Sequence, residues 1–141
     1  MGESALECLR DLFREARDGA LPFGCRWESD DRHDAYVAVL RADQVRDYFG
    51  QLETVFDGGW EEENSAEAPA SVQCVMKSLG GLRSGQYLFA QEVSAEFVGY
   101  VALWPWQNGV NVSVRVGVFD LTGGRDRGSS AIEILSASFE S

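Results

Sequence analysis

Between residues 110 and 118, valine occupies every second position, and the residues between the valines are polar or glycine. This strict alternation predicts a strand with one buried face and one solvated face. The pair Asn108-Gly109 comes directly before it and is the strongest short signal for a β-hairpin. The β-branched and aromatic runs that predict strands in this part of the chain are 86–93, 97–104 and 110–119.

Helical spacing of apolar residues dominates the front half of the chain instead. A capping-box pair precedes a helix predicted over 5–17. Asp43 has the character of an N-cap for a second helix, whose apolar face extends to Phe56. Segment 72–79 repeats apolar residues at i, i+3, i+4 and i+7 and predicts a short helix, although its composition is also compatible with a strand.

Further short segments complete the predicted fold. Segments 25–29 and 35–40 read as two strands joined by a polar turn, and 132–139 is preferred as a last strand, with a terminal helix left open. The sum is an α+β fold with a mainly antiparallel sheet of about five to six strands and two to three helices packed on one face. At 141 residues we expect one domain spanning 1–141, with a β-rich part at 86–139.

The charge of the chain is concentrated in its front half. Residues 1–70 contain 17 acidic and 7 basic residues, a net charge of −10, whereas residues 71–141 contain 6 acidic and 5 basic residues. The whole chain therefore has a formal net charge of −11. Such a surface repels the phosphate backbone of nucleic acids and attracts cationic macromolecules. We expect a basic protein partner and no direct binding of nucleic acid.

No motif in the sequence indicates catalysis, a cofactor or a metal. The three cysteines lack CxxC spacing, and His33 is the single imidazole available as a base. The glycine pairs match neither a dinucleotide fingerprint nor a phosphate loop. No apolar run approaches the ~18 residues of a membrane span, and the start of the chain has no visible secretory signal. These observations predict a cytoplasmic protein that is not an enzyme, binds no cofactor or metal, and keeps its cysteines as free thiols.

Two acidic segments and an exposed tryptophan are the candidate partner-binding features. Segment 57–71 is acidic and polar and predicts an exposed loop. A second acidic group occupies the polar turn between the strands predicted at 25–29 and 35–40. Tryptophan near a hairpin tip buries a large area with little loss of rotamer entropy on binding. The predicted partner-binding residues are Asp57, Trp60, Glu61, Glu62, Glu63 and Glu67 as one patch, Asp30, Asp31 and Asp34 as a second, and Trp106.

In its size, acidity, lack of a visible secretory signal, lack of a catalytic set and acidic loop flanked by Trp60, the chain resembles the bacterial immunity proteins that neutralise a cognate toxin. This resemblance implies a tight heterodimer with a basic toxin whose active site or substrate surface is blocked. Three other functions remain open. They are a nucleic-acid-mimicking inhibitor of a DNA- or RNA-binding defence protein, similar to the anti-CRISPR proteins; a small enzyme or ligand-binding domain with a pocket between sheet and helices; and an adaptor that pairs through a strand edge.

Overall fold

The computed structural model of the protein describes residues 2–30, 35–122 and 125–140. Two short 3₁₀ segments, Leu21–Phe23 and Glu62–Glu67, connect the regular elements. In chain order, these elements are α1 (Gly2–Ala20), β1 (Glu28–Asp30), β2 (Ala35–Arg41), α2 (Ala42–Val55), β3 (Gly58–Glu61), α3 (Ala70–Ser78), β4 (Tyr87–Glu92), β5 (Phe97–Pro105), β6 (Asn111–Asp120) and α4 (Arg125–Glu140).

The six strands in the described part of the chain belong to one antiparallel sheet in the order β1-β2-β6-β5-β4-β3. Strands β1 and β3 therefore form the two edges. Strand β5 is central, and residues Phe97–Leu103 are buried along both of its faces. The alternating valines of β6 place Val112, Val114, Val116 and Val118 in the core, as their spacing predicts. The α+β fold with a six-stranded antiparallel sheet is confirmed.

Three helices cover one face of the sheet. Leu9 and Phe13 of α1, Tyr48 and Leu52 of α2, and Leu135 of α4 pack with the inward side chains of the strands in one large core cluster. Helix α3 lies on the opposite face, where its apolar side chains form a second cluster with β4 and β5. The assignment to opposite faces follows from β5, whose alternate residues belong to the two clusters in turn.

The segment preferred as a last strand, 132–139, is a helix. Its residues belong to α4, and Ala131, Leu135 and Ser138 are buried at spacing i, i+4 and i+7. This period matches a helix and not a strand. The strand preference was wrong because Ile132 and Ile134 alternate over a short stretch, while the buried face of α4 includes small residues that carry no strong hydrophobic signal. The part 86–139 thus contains three strands and a helix.

The acidic segment 57–71 is more ordered than the predicted loop. It contains β3, the 3₁₀ segment Glu62–Glu67 and the first two residues of α3. The two glycines of β3 leave room for aromatic rings that pack directly over the strand, Trp60 over Gly58 and Tyr87 over Gly59. A Cβ on Gly59 would lie 2.4 Å from the Tyr87 hydroxyl oxygen. Tertiary packing here overrides the low strand propensity of glycine and glutamate.

Smaller differences concern element boundaries. The strand predicted at 25–29 is shorter in the structure and begins later, as β1 at Glu28–Asp30. The helix predicted at 72–79 is confirmed as α3. Helix α2 begins at Ala42 with Arg41 at the N-cap position, so Asp43 lies in the first turn. There its carboxylate binds the Arg41 guanidinium, with Nε 3.2 Å from Oδ1.

Candidate functional site

Acidic residues at the end of β3 and in the 3₁₀ segment after it form an exposed surface at one edge of the sheet. We call Glu61, Glu62, Glu63 and Glu67 the acidic edge; all four side chains are exposed. The 3₁₀ segment that carries Glu62, Glu63 and Glu67 is held by two hydrogen bonds. The Glu61 backbone N–H donates to Asn64 Oδ1 at 2.8 Å, and the Ser65 hydroxyl donates to the Glu62 carbonyl at 3.0 Å. These bonds fix the backbone and leave the carboxylates facing solvent.

The carboxylates of the acidic edge have no cationic partner in the described part of the chain. The ion pairs there join Arg17 to Asp18, Arg41 to Asp43 and Arg115 to Asp30. The negative charge of the acidic edge is therefore not neutralised by these arginines, and it remains available to an external cation.

Asp57 comes just before β3, at the opposite end of that strand from Glu61, and is held in place by the Gln91 side chain. The Asp57 backbone N–H donates to Gln91 Oε1, and the Gln91 amide nitrogen donates to Asp57 Oδ2, both at 3.0 Å. Asp57 is exposed, but its carboxylate already accepts this hydrogen bond from β4. The pair joins the start of β3 to the sheet in addition to the strand pairing.

Trp60 is only half-buried and packs beside the acidic edge. Its indole ring lies over Gly58, where a Cβ would come within 2.4 Å of the ring. The rest of the ring contacts the cluster formed by α3, β4 and β5. Trp60 thus packs between the acidic edge and the core, and part of the Trp60 side chain remains exposed to solvent.

The second predicted patch lies at the other edge of the sheet. Asp30 belongs to β1, and its Oδ2 binds Arg115 Nη2 at 3.0 Å in a pair whose side chains are 21% and 25% exposed. Five strand spacings, about 24 Å, separate β1 from β3, so the structure does not bring Asp30 to the acidic edge. Asp31 and Asp34 lie outside the described residues, as does His33.

Trp106 is displayed at the surface near the β5–β6 hairpin. Its side chain is 45% exposed, and its indole N–H donates to the Ser113 hydroxyl at 2.8 Å. The turn closes through Gly109, whose φ of +73° is in the left-handed region that glycine tolerates. Trp106 therefore lies against the solvated face of β6, several strands away from the acidic edge.

Sequence reasoning did not identify two arginine features. One is Arg115, the partner of Asp30 on the solvated face of β6. The other is a groove between α1 and α4 of about 790 Å³, which we call the α1–α4 groove. Its walls include Arg10, Arg14 and Arg17 from α1 and Ile134 from α4. The spacing of the three arginines at i, i+4 and i+7 was a visible signal in the sequence.

The cysteines differ in exposure. Burial raises the pKa of the Cys8 thiol, with a further contribution from the carboxylates of Asp11 and Asp57, and burial also raises the pKa of the Cys25 thiol. A raised pKa lowers the fraction of thiolate at neutral pH, and because the thiolate is the nucleophile, such a cysteine reacts slowly. Cys74 on α3 is exposed.

Alkylation should distinguish these thiols. We expect iodoacetamide at neutral pH to modify Cys74 first, because Cys8 and Cys25 are half-buried and burial raises the pKa of both thiols. Peptide mass spectrometry over a time course measures the order. A Cys74→Ser variant serves as the control and should take up label only slowly. Equal labelling rates at all three positions would contradict the burial of Cys8 and Cys25.

Over residues 2–30, 35–122 and 125–140, no helix combines the length and the apolar character needed to cross a membrane. The same residues contain no group of three or more histidine, cysteine, aspartate or glutamate side chains arranged to hold a metal ion. Comparison of the chain with protein-family models, with curated proteins and with solved structures gives no match.

Proposed function

We propose that the protein binds a basic protein partner through the acidic edge and inhibits it, as a cytoplasmic bacterial immunity protein does with its cognate toxin. The observation that carries the proposal is the group of exposed carboxylates at the end of the edge strand β3 and in the 3₁₀ segment after it, without a cationic partner in the described residues. A surface of this kind is complementary to a cationic cleft. The complex is a heterodimer in which the bound protein covers the active site or substrate surface of the partner.

The charge and the apolar surface have separate roles in this proposal. Long-range attraction raises the association rate, and this effect weakens as salt screens the charges. Affinity after the encounter depends mainly on a few buried contacts near the centre of the interface. Trp60, half-buried beside the acidic edge, provides such a contact. The exposed backbone of β3 adds hydrogen-bonding groups, because β3 is the last strand of the sheet.

The test compares two variants that remove the same amount of charge from different places. One carries Glu61→Gln, Glu62→Gln and Glu63→Gln. The control carries Glu7→Gln, Asp11→Asn and Glu15→Gln, which removes three exposed carboxylates from α1. A partner is first captured from a lysate of the source organism with the unmodified protein and identified by mass spectrometry.

Association rates are then measured by stopped-flow fluorescence at low and at high salt. We expect the acidic-edge variant to associate about tenfold more slowly at low salt and to lose most of its salt dependence, with a much smaller change for the α1 control. Equal rates for the unmodified protein and the acidic-edge variant would refute the proposal. Equal slowing in both variants would also refute it, because the location of the charge would then be irrelevant.

A further inference from the structure

The α1–α4 groove has a cationic wall and an apolar wall. Arg10, Arg14 and Arg17 lie on one stripe of α1, since residues at i, i+4 and i+7 share a helix face. Leu6 continues this stripe, and Ile134 and Ala137 of α4 line the other side. The volume of about 790 Å³ is within the range of sites for small organic molecules.

The three arginines are not equivalent. Arg17 is used internally: its Nη1 donates to the Ser138 carbonyl at 2.6 Å, and its Nη2 lies 3.0 Å from Asp18 Oδ1. This bond satisfies a carbonyl in the last turn of α4, where helix carbonyls lack partners within the helix. Arg17 therefore joins the two helices and closes one end of the groove.

Arg10 and Arg14 are exposed, and within the described residues neither forms an ion pair. The acidic residues Glu7, Asp11 and Glu15 are on the same helix but do not line the groove. Among the described side chains that do line it, Asp18 is bound by Arg17, which leaves two guanidinium groups against one further carboxylate, that of Glu133. The groove thus has an excess of positive charge in a protein whose net charge is −11.

We infer that the α1–α4 groove binds a small amphipathic organic anion. Arg10 and Arg14, about 6 Å apart at their Cβ atoms by helix geometry, bracket one acidic headgroup through charge-assisted hydrogen bonds. The apolar body of the ligand packs against Leu6, Ile134 and Ala137. A carboxylate and a phosphate ester share this headgroup chemistry. The inference is independent of the acidic edge. The acidic edge lies at β3, an edge strand of the sheet, whereas the groove is lined by residues of α1 and α4.

Two fluorescent probes with the same apolar skeleton test the inference. Anilinonaphthalene sulfonate carries a sulfonate on its rings, and phenylnaphthylamine is the same skeleton without it. We expect the sulfonate to bind at one site about tenfold or more tightly than the neutral probe, since the headgroup adds charge-assisted bonds to Arg10 and Arg14. Backbone amide signals of Ala137 and Ser138 should shift in the NMR spectrum on binding.

Two double variants test whether the sulfonate binds at this groove or binds to exposed arginines in general. Arg10→Gln with Arg14→Gln should weaken sulfonate binding about tenfold. Arg26→Gln with Arg46→Gln removes two exposed arginines outside the groove and should leave binding unchanged. Thermal melting of both variants checks that each is folded. Equal sulfonate affinity in the two variants, or equal affinity of the unmodified protein for both probes, overturns the inference.

Displacement of the bound sulfonate then identifies the headgroup. Octanoate and octyl phosphate present the two acidic headgroups on the same alkyl chain, and octanol is the neutral control. Displacement by either anion but not by octanol supports the inference, and the stronger competitor identifies the preferred headgroup. Displacement by octanol at the same concentration, or by neither anion, contradicts a site that selects an anionic group.

Discussion

Replacement of Phe89 by alanine is expected to lower the free energy of unfolding by about 3 to 5 kcal/mol. Phe89 is 2% exposed on β4, and its ring centroid lies 4.9 Å from those of Phe49 and Tyr87 and 5.8 Å from that of Phe56. Tilted and edge-on rings at these distances attract one another beyond the area they bury. Loss of the central ring removes contacts to three aromatic side chains at once and leaves a cavity between α2 and the sheet.

Urea unfolding monitored by circular dichroism measures this loss. Phe89→Leu retains much of the buried volume and should cost about half as much, so it remains folded if the alanine variant does not. Leu21→Ala is the matched control at a position that is 65% exposed, with an expected change of about 0.5 kcal/mol or less. A loss below about 1 kcal/mol for Phe89→Ala would show that α2 and β4 are not held together by this aromatic cluster.

The second large effect is a loss of stability in alkali. Tyr48 on α2 is fully buried, and its hydroxyl donates a hydrogen bond of 2.7 Å to the Ala16 carbonyl of α1. Burial raises the pKa of Tyr48 above its ordinary value of 10.0, because the phenolate cannot be solvated there. The folded protein therefore keeps this proton at a pH where the unfolded chain releases it.

The sign follows from proton linkage. Above about pH 10 the unfolded state binds fewer protons than the folded state, so stability decreases as the pH rises, by up to about 1.4 kcal/mol per pH unit for this one group. Below that pH the contribution of Tyr48 is fully present. Urea unfolding in steps from about pH 8 to about pH 12 should show this decline.

A Tyr48→Phe variant isolates the effect. It should be less stable by about 1 kcal/mol near neutral pH, because the hydrogen bond to Ala16 is lost, and its stability should fall less steeply in alkali. Burial also raises the pKa of Tyr87, but less strongly, so Tyr87→Phe should flatten the decline less. An alkaline slope that is identical in the unmodified protein and in Tyr48→Phe would contradict the linkage.

The strands of the second half could be predicted because their local pattern and their environment agree. In β6 the alternation of valine with polar residues matches burial on one face and solvent on the other. Strand β5 is buried on both faces, so its continuous apolar run gives no period, but its length and its β-branched and aromatic residues still favour a strand. Local preference and tertiary packing point to the same structure in both cases.

Two elements could not be predicted because their signals come from elsewhere in the fold. Strand β3 contains two glycines and a glutamate, and it exists because β4 pairs with it and Tyr87 packs over Gly59. In α4 the buried face is formed by Ala131, Leu135 and Ser138, and only the leucine has the size of a typical core residue. Their burial depends on the position of α4 against β6 and α1, which no local window contains.

For the candidate partner-binding residues, exposure could be predicted from the sequence, but their relative positions could not. Exposure of the acidic edge follows from composition, because a run of glutamates cannot be buried without partners. The separation of Asp30 from Glu61 follows from strand order, which places β1 and β3 at opposite edges. The pairing of Asp30 with Arg115 joins residues 85 positions apart, so no spacing rule in the sequence could reveal it.

The position of α1 beside α4 has a consequence for how the protein is made. Helix α1 precedes all six strands and α4 follows them, yet the two are neighbours on the same face, joined by Arg17 and the Ser138 carbonyl. A nascent chain that has already emerged through β6 still lacks the helix that covers part of that face. Apolar side chains of the strands that α4 covers then remain open to solvent until α4 has formed and packed, and a partly folded chain of this kind is prone to aggregation.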